Sequence, residues 1–196
     1  MPERKGRPNL GPAAADQNRS ALVSAARRIY ARHGHEVPFN TIAKEAGVGQ
    51  GSLYRHFPNR IALAMAVFEE NFLELEELAR EHAADPRCFE LVFARLVRQC
   101  VDSLGFIGII ASAGRDFPLD ATIGRLAAVL TGPLDRAQRE GLLRDTLTID
   151  DLLLILRMLY GTLSHGVPGD AGPTVLAQRV LDLVGLPVRV ADPPPG

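Results

Sequence analysis

The stretch from Gly49 to Arg60, GQGSLYRHFPNR, brings two glycines, a tyrosine, a histidine and two arginines together in one short turn and helix. None of these types is what an apolar core asks for. If a helix runs from Gln50 to about Phe57, Leu53 and Phe57 face inward, and Gln50, Ser52, Tyr54, Arg55 and His56 spread over the remaining surface. That outer surface then consists of hydrogen-bonding groups. Gln50 matches the donor and acceptor on an adenine edge, Ser52 reaches a base or a phosphate, and Tyr54 and His56 donate to phosphate oxygens. Gly49 and Gly51 permit close backbone approach. Asn59 and Arg60 follow at the start of the next helix, where unpaired N–H groups and the helix dipole favour an anion. Asn40 and Thr41, opening the preceding helix, complete the set of candidate DNA contacts.

Positioning such a surface requires flanking helices, and the apolar spacing supplies them. Leu22, Ala25, Ala26, Ile29 and Tyr30 mark one face of a first helix over Asp16 to His33, with Gly34 as its left-handed cap. Pro38 opens a short second helix through FNTIAKEA, which stops at Gly47, and Val48 plugs the turn. Two short helices joined at AGVG with a third across them form a helix-turn-helix, whose second member fits the major groove. After Pro58 a long helix carries Ile61, Met65, Phe68, Phe72, Leu75 and Ala79 at three-and-four spacing, out of the head and into a body.

The total charge of -1 conceals a division. Residues 1–60 hold ten Lys and Arg against four Asp and Glu, whereas residues 61–196 hold twelve against nineteen. A basic front on an acidic rear fits a head that meets phosphate and a body that does not, beside the plainer reading of uneven surface charge. The basic N-terminus, with Arg4, Lys5 and Arg7 around Gly6 and Pro8, reads either as a minor-groove hook or as a solubilising tail. Other chemistry finds little support. Cys88 and Cys100 read as reduced core residues, His33 and His35 make a poor metal pair, and GVGQG follows a helix and lacks the lysine of a phosphate-binding loop. No acid–base pair or nucleophile motif stands out, so no catalytic residue, metal ligand or cofactor is expected. Neither a signal peptide nor a membrane span is expected, which points to a cytoplasmic protein without a membrane partner.

The stretch TIAKEAGVGQGSLYRHFPNRIAL resembles the DNA-binding signature of the tetracycline-repressor (TetR) family, over about residues 16–65. The resemblance implies an all-α fold, base-facing roles for Gln50, Gly51 and Ser52, and phosphate contacts from Tyr54, His56 and Arg60. Two positions depart from it: His35 stands where an aromatic usually follows the glycine, and Pro38 where a Thr or Ser commonly caps the second helix.

The division expected is a flexible arm at 1–15, a helix-turn-helix domain at 16–60, a helical body at 61–187 and a disordered tail at 188–196. Within the body, Thr148 and Asp151 resemble a capping box before IDDLLLILRMLYGTL, a helix apolar on nearly every side that needs a partner on both faces. A homodimer through Leu152, Leu156, Leu159, Leu176, Val180 and Leu183 is therefore expected, and two heads require a near-palindromic double-stranded operator. Phe89, Phe93, Phe106, Ile107, Ile110 and Met158 are the candidates for a pocket taking a small apolar effector, and core packing alone uses the same residue types. The rival readings are a helical enzyme and a helical scaffold that binds a protein through residues 149–163.

Overall fold

The computed structural model describes residues 12–34, 36–113, 118–165 and 172–190, and among these it contains helices and no strand. Helix α1 (Pro12–His33) turns Leu22, Ala25, Ala26, Ile29 and Tyr30 inward and ends at Gly34, whose N–H bonds the Tyr30 carbonyl at 3.0 Å. It already begins at Pro12, so residues 12–15 are helix rather than arm. Arg4, Lys5, Arg7 and His35 lie outside the described residues.

Helix α2 (Phe39–Glu45) starts after Pro38, which makes no side-chain cap bond. It ends in a Schellman turn: Gly47 takes φ +66°, the Val48 N–H bonds the Ala43 carbonyl at 2.9 Å, and the Gly47 N–H bonds that of Lys44 at 3.2 Å. A side chain at Gly47 would strain this left-handed position, and the turn aims the next helix. Helix α3 (Gln50–His56) follows, held by buried Leu53 and Phe57. The side chain of Asn59 then caps α4 (Arg60–Glu81) by accepting the Ala62 N–H at 2.8 Å.

Five more helices complete the described chain: α5 (Cys88–Asp102), α6 (Leu104–Ala113), α7 (Leu119–Arg139, with Pro133 inside it), α8 (Ile149–His165) and α9 (Pro173–Leu183). At the start of α8 the Thr148 N–H donates to the Asp151 carboxylate at 2.9 Å and the Asp151 N–H to the Thr148 hydroxyl at 3.2 Å, the reciprocal pattern of a capping box.

Two apolar cores form, and they do not divide at residue 60. The head core includes Leu63, Ala64, Ala66 and Val67 of α4 and extends to Phe106 and Ile109 of α6. The body core begins at Leu75 and gathers α5, α7, α8 and α9. Helix α6 approaches α1 so closely that a Cβ on Gly105 would lie 2.9 Å from the Tyr30 Cβ and 3.1 Å from its carbonyl oxygen. Only glycine fits there. Beside it the Phe106 and Tyr30 rings meet edge to face at 4.8 Å. The Tyr30 hydroxyl is buried without a hydrogen-bond partner, and burial pushes its pKa up against the opposing pull of Arg60. Residues 188–190 are not tail, because Val188 and Val190 pack into the body core. The Gln178 side chain accepts the Val190 N–H at 2.9 Å and donates to the Val188 carbonyl at 3.1 Å, tying this segment to α9.

Candidate nucleic-acid interface

With Leu53 and Phe57 locked into the head core, α3 has no rotational freedom, and its polar residues are fixed outward. Gln50, Gly51, Tyr54 and Arg55 are exposed, Ser52 and His56 are half-buried, and Gly49 precedes them in extended conformation. No heavy atom lies within 4 Å of where a Cβ would stand on Gly49 or Gly51, so the space beside them is open for an approaching surface. The Tyr54 ring rests edge-on against Phe39 at 5.6 Å. That contact orients the ring while the side chain stays in solvent. The Arg55 guanidinium donates to the Ser52 hydroxyl at 2.9 Å, one turn back, which aligns two polar side chains along one edge of the helix.

The neighbouring candidates are arranged unevenly. Asn40 is exposed and Thr41 half-buried at the start of α2, and Arg60 is half-buried at the start of α4. Asn59 uses its carbonyl oxygen as the α4 cap, so only its amide nitrogen is open to a phosphate. Several head arginines are committed internally: Arg28 pairs with Glu45, Arg19 with Glu70, and Arg27 with Glu70 and Asn71. Their charge therefore serves packing between α1, α2 and α4. Arg19 also lies over the Phe57 ring at 5.6 Å, reinforcing the anchor of α3.

Residues 22–67, which cover this whole assembly from α1 into α4, match the family described as bacterial regulatory proteins, tetR family. The chain is 28% identical to a TetR transcriptional regulator from Streptomyces coelicolor, over 86% of this chain and 97% of that one, with a TM-score of 0.62. It is 27% identical to a TetR transcription regulatory protein from Mycobacterium vanbaalenii, over 91% and 98%, with a TM-score of 0.63. Residues 22–67 therefore carry the DNA-binding region of the TetR family, and the chain shares its fold with TetR-family regulators. An HTH-type transcriptional regulator of Staphylococcus aureus (strain USA300) is 36% identical over 58 residues, which are 29% of this chain and 31% of that relative. The chain thus matches about a third of the length of its curated relatives, and that match spans 58 residues only.

The chain distributes the six effector-pocket candidates over different surroundings. Phe89 and Phe93 stack at 5.4 Å inside the body core, Phe106 sits in the head core with Ile110 against it, Ile107 is half-buried, and Met158 is exposed. Phe89 lines a pocket with Pro86, Ala137 and Leu143 that none of the other five lines. An apolar cavity of about 130 Å³ lies elsewhere, walled by Phe68, Phe72 and Leu75 of α4, Leu96 of α5, Leu126 of α7 and Leu156 of α8. Asn71, Gln99, Cys100 and Thr122 complete its wall. Sequence reasoning missed it because four helices far apart in the chain each contribute only one or a few residues. Beside it, Arg125 lies over the Phe72 ring at 4.8 Å and pairs with Glu69 and Glu76 at 2.6 Å each, fastening α7 to α4. The Arg125 hydrogen bond holds the Glu76 carboxyl below its ordinary range.

The dimer candidates divide as well. Leu152, Leu159 and Val180 are buried in the chain's own core, Leu156 lines the cavity, and Leu176 is half-buried. Leu183 is 84% exposed. The structure also exposes three apolar residues on α8 and α9 that were not among the dimer candidates: Leu154 at 53%, Met158 and Val175. Helix α8 is therefore covered on one side and open on the other, rather than enclosed. Among the described residues no three His, Cys, Asp or Glu side chains gather as a metal site, and no helix is long and apolar enough to cross a membrane.

Proposed function

We propose that this protein is a homodimeric regulator of transcription that binds a near-palindromic double-stranded DNA operator through α3 and represses by occupying it. The observation that carries the reading is the outward, hydrogen-bonding face of α3, Gln50 to His56, held rigid by Leu53 and Phe57. Gln50 reads a base edge near the start of the helix. Tyr54, Arg55, His56 and Arg60 supply phosphate contacts, joined by the arm residues Arg4, Lys5 and Arg7.

The open apolar residues Leu154, Met158, Val175 and Leu183 on α8 and α9 support self-association, because a second copy presents the same surface back. A small apolar effector in the cavity between α4, α5, α7 and α8 releases the operator. A hydrogen-bond path supports this coupling. Asn71 lines the cavity, and its side-chain carbonyl oxygen accepts a 2.8 Å bond from Arg27 of α1 in the head. A ligand that displaces α4 alters that bond, and it must then bind the DNA-free protein more tightly than the bound one.

Selection of bound fragments from genomic DNA, followed by titration against the enriched site, tests the reading. Binding should weaken steeply as salt rises, and Gln50→Ala should relax preference at one or two base pairs by roughly 1–3 kcal/mol each. Unchanged sequence preference in Gln50→Ala removes Gln50 as a reader, and failure to enrich any fragment sinks the operator reading.

A further inference from the structure

The cavity between α4, α5, α7 and α8 is selective by what it withholds. Most of its polar wall groups have partners elsewhere: the Asn71 side-chain carbonyl accepts from Arg27 at 2.8 Å, the Asn71 amide nitrogen donates to Ser103 at 3.4 Å, and the Thr122 hydroxyl donates to the Pro118 carbonyl at 2.9 Å. The Gln99 amide nitrogen donates to both the Asn71 backbone carbonyl at 3.2 Å and the Glu74 carboxylate at 2.8 Å. No ionisable carboxylate, lysine, arginine or histidine belongs to the wall. Burial pushes the Cys100 thiol up to about 12, so it stays neutral and offers no charge to a ligand. What remains is the surface of Phe68, Phe72, Leu75, Leu96, Leu126 and Leu156 around about 130 Å³. An enclosed cavity of about 150 Å³ lined by apolar side chains stays dry and holds benzene; this one is of similar volume, mostly apolar and partly open.

We infer that the effector is an uncharged, single-ring hydrocarbon-like molecule without hydrogen-bonding groups, recognised by shape and by contact with the Phe68 and Phe72 rings. The inference rests on reading the body as an effector-binding domain and adds the chemical class. A hydroxyl on such a ligand meets a wall with few open partners, the Gln99 carbonyl oxygen among them, and away from that atom it loses its water without gaining a partner. A carboxylate loses more. The Gln99 carbonyl oxygen is a wall acceptor with no hydrogen bond found among the described residues, and it defines the result that would overturn the inference.

Calorimetry on the free, full-length protein with toluene, phenol and benzoate reads the selectivity without DNA. Toluene is expected to bind about tenfold or more tighter than phenol, on the cost of burying one unpaired hydroxyl, and benzoate is expected not to bind. Leu126→Trp fills the cavity and should abolish toluene binding, while Leu126→Ala enlarges it and should shift preference toward naphthalene. The second variant keeps the test decisive if the first does not fold. Phenol binding as tightly as toluene, with that affinity lost in Gln99→Met, overturns the inference in favour of a polar-selective site. Toluene binding unaffected in a folded Leu126→Trp, or an unchanged toluene-to-naphthalene ratio in Leu126→Ala, also overturns it. Toluene binding that leaves operator affinity unchanged supports the ligand class and refutes release, so the two readings fail separately.

Discussion

Around α3 the head leaves Gln50, Tyr54 and Arg55 in solvent, whereas the outer faces of α8 and α9 in the body leave Leu154, Met158, Val175 and Leu183 there. Both regions bury a continuous core, so the contrast does not come from one part being less well folded. It comes from what each surface is prepared to meet. Hydrogen-bonding groups are satisfied by water until a polar partner replaces it, but a group of large apolar residues gains by leaving water altogether. The head's surface suits a polar partner that exchanges with water, and the body's suits an apolar one.

The largest expected effect strikes the body side of this contrast. Leu154→Asp combined with Leu183→Asp changes residues exposed in the single chain, so the fold should survive while the dimer does not. Sedimentation should show monomers, and operator affinity should fall by about 10²–10⁴ as the two heads cease to act together. A monomer that retains full affinity for the whole operator breaks the comparison.

The next effect concerns the junction of the two regions. Gly105→Ala places a Cβ against the Tyr30 backbone and should destabilise the protein by about 1–3 kcal/mol, measured by denaturant unfolding. If stability is unchanged, α6 is not held against α1 as closely as the fold indicates. Smaller and opposite in sign is Tyr30→Phe. It removes a buried hydroxyl that has no partner and keeps the ring against Phe106, so stability should hold or rise by about 1 kcal/mol.

The smallest effect lies at the clamp of Arg125 on Glu69 and Glu76. The folded Glu76 carboxyl is held below its ordinary value of 4.5, chiefly by the Arg125 hydrogen bond. Its contribution is therefore complete above that value and is lost as pH falls through the lower folded value. Both groups are partly exposed, so the contribution should stay below about 1 kcal/mol. Unfolding of Glu76→Gln against the parent should show a difference at neutral pH that shrinks below about pH 4. A constant difference removes this linkage.

Much of the architecture was legible because it is local. Leu53 and Phe57 at one-turn spacing orient α3, Gly47 with Val48 makes its turn, and Thr148 with Asp151 opens α8. Properties that depend on which helix meets which were not legible. FIGII reads as a single apolar run, yet Phe106 and Ile109 join the head core while the neighbouring α5 supplies the body core. Periodicity likewise gave α8 its helix but not its covered side, which depends on where α9 lies. Arg27 and Asn71 are forty-four residues apart, and nothing in either local pattern pairs them. The proline-rich end masked Val188 and Val190, whose burial follows from the turn after α9.

The insertion of α6 between regions also bears on how such proteins exchange parts. A head cut away after α4 would leave an opening where Phe106 and Ile109 sit and would expose Tyr30, so residues 12–81 are not a self-sufficient cassette. A chimera that transplants this DNA-reading end onto a foreign body must carry its own α6, with Gly105, or find a recipient whose equivalent helix offers the same groove and ring. Recombination at the apparent boundary near residue 60 therefore separates residues that fold as one unit, and viable graft points lie deeper in the chain.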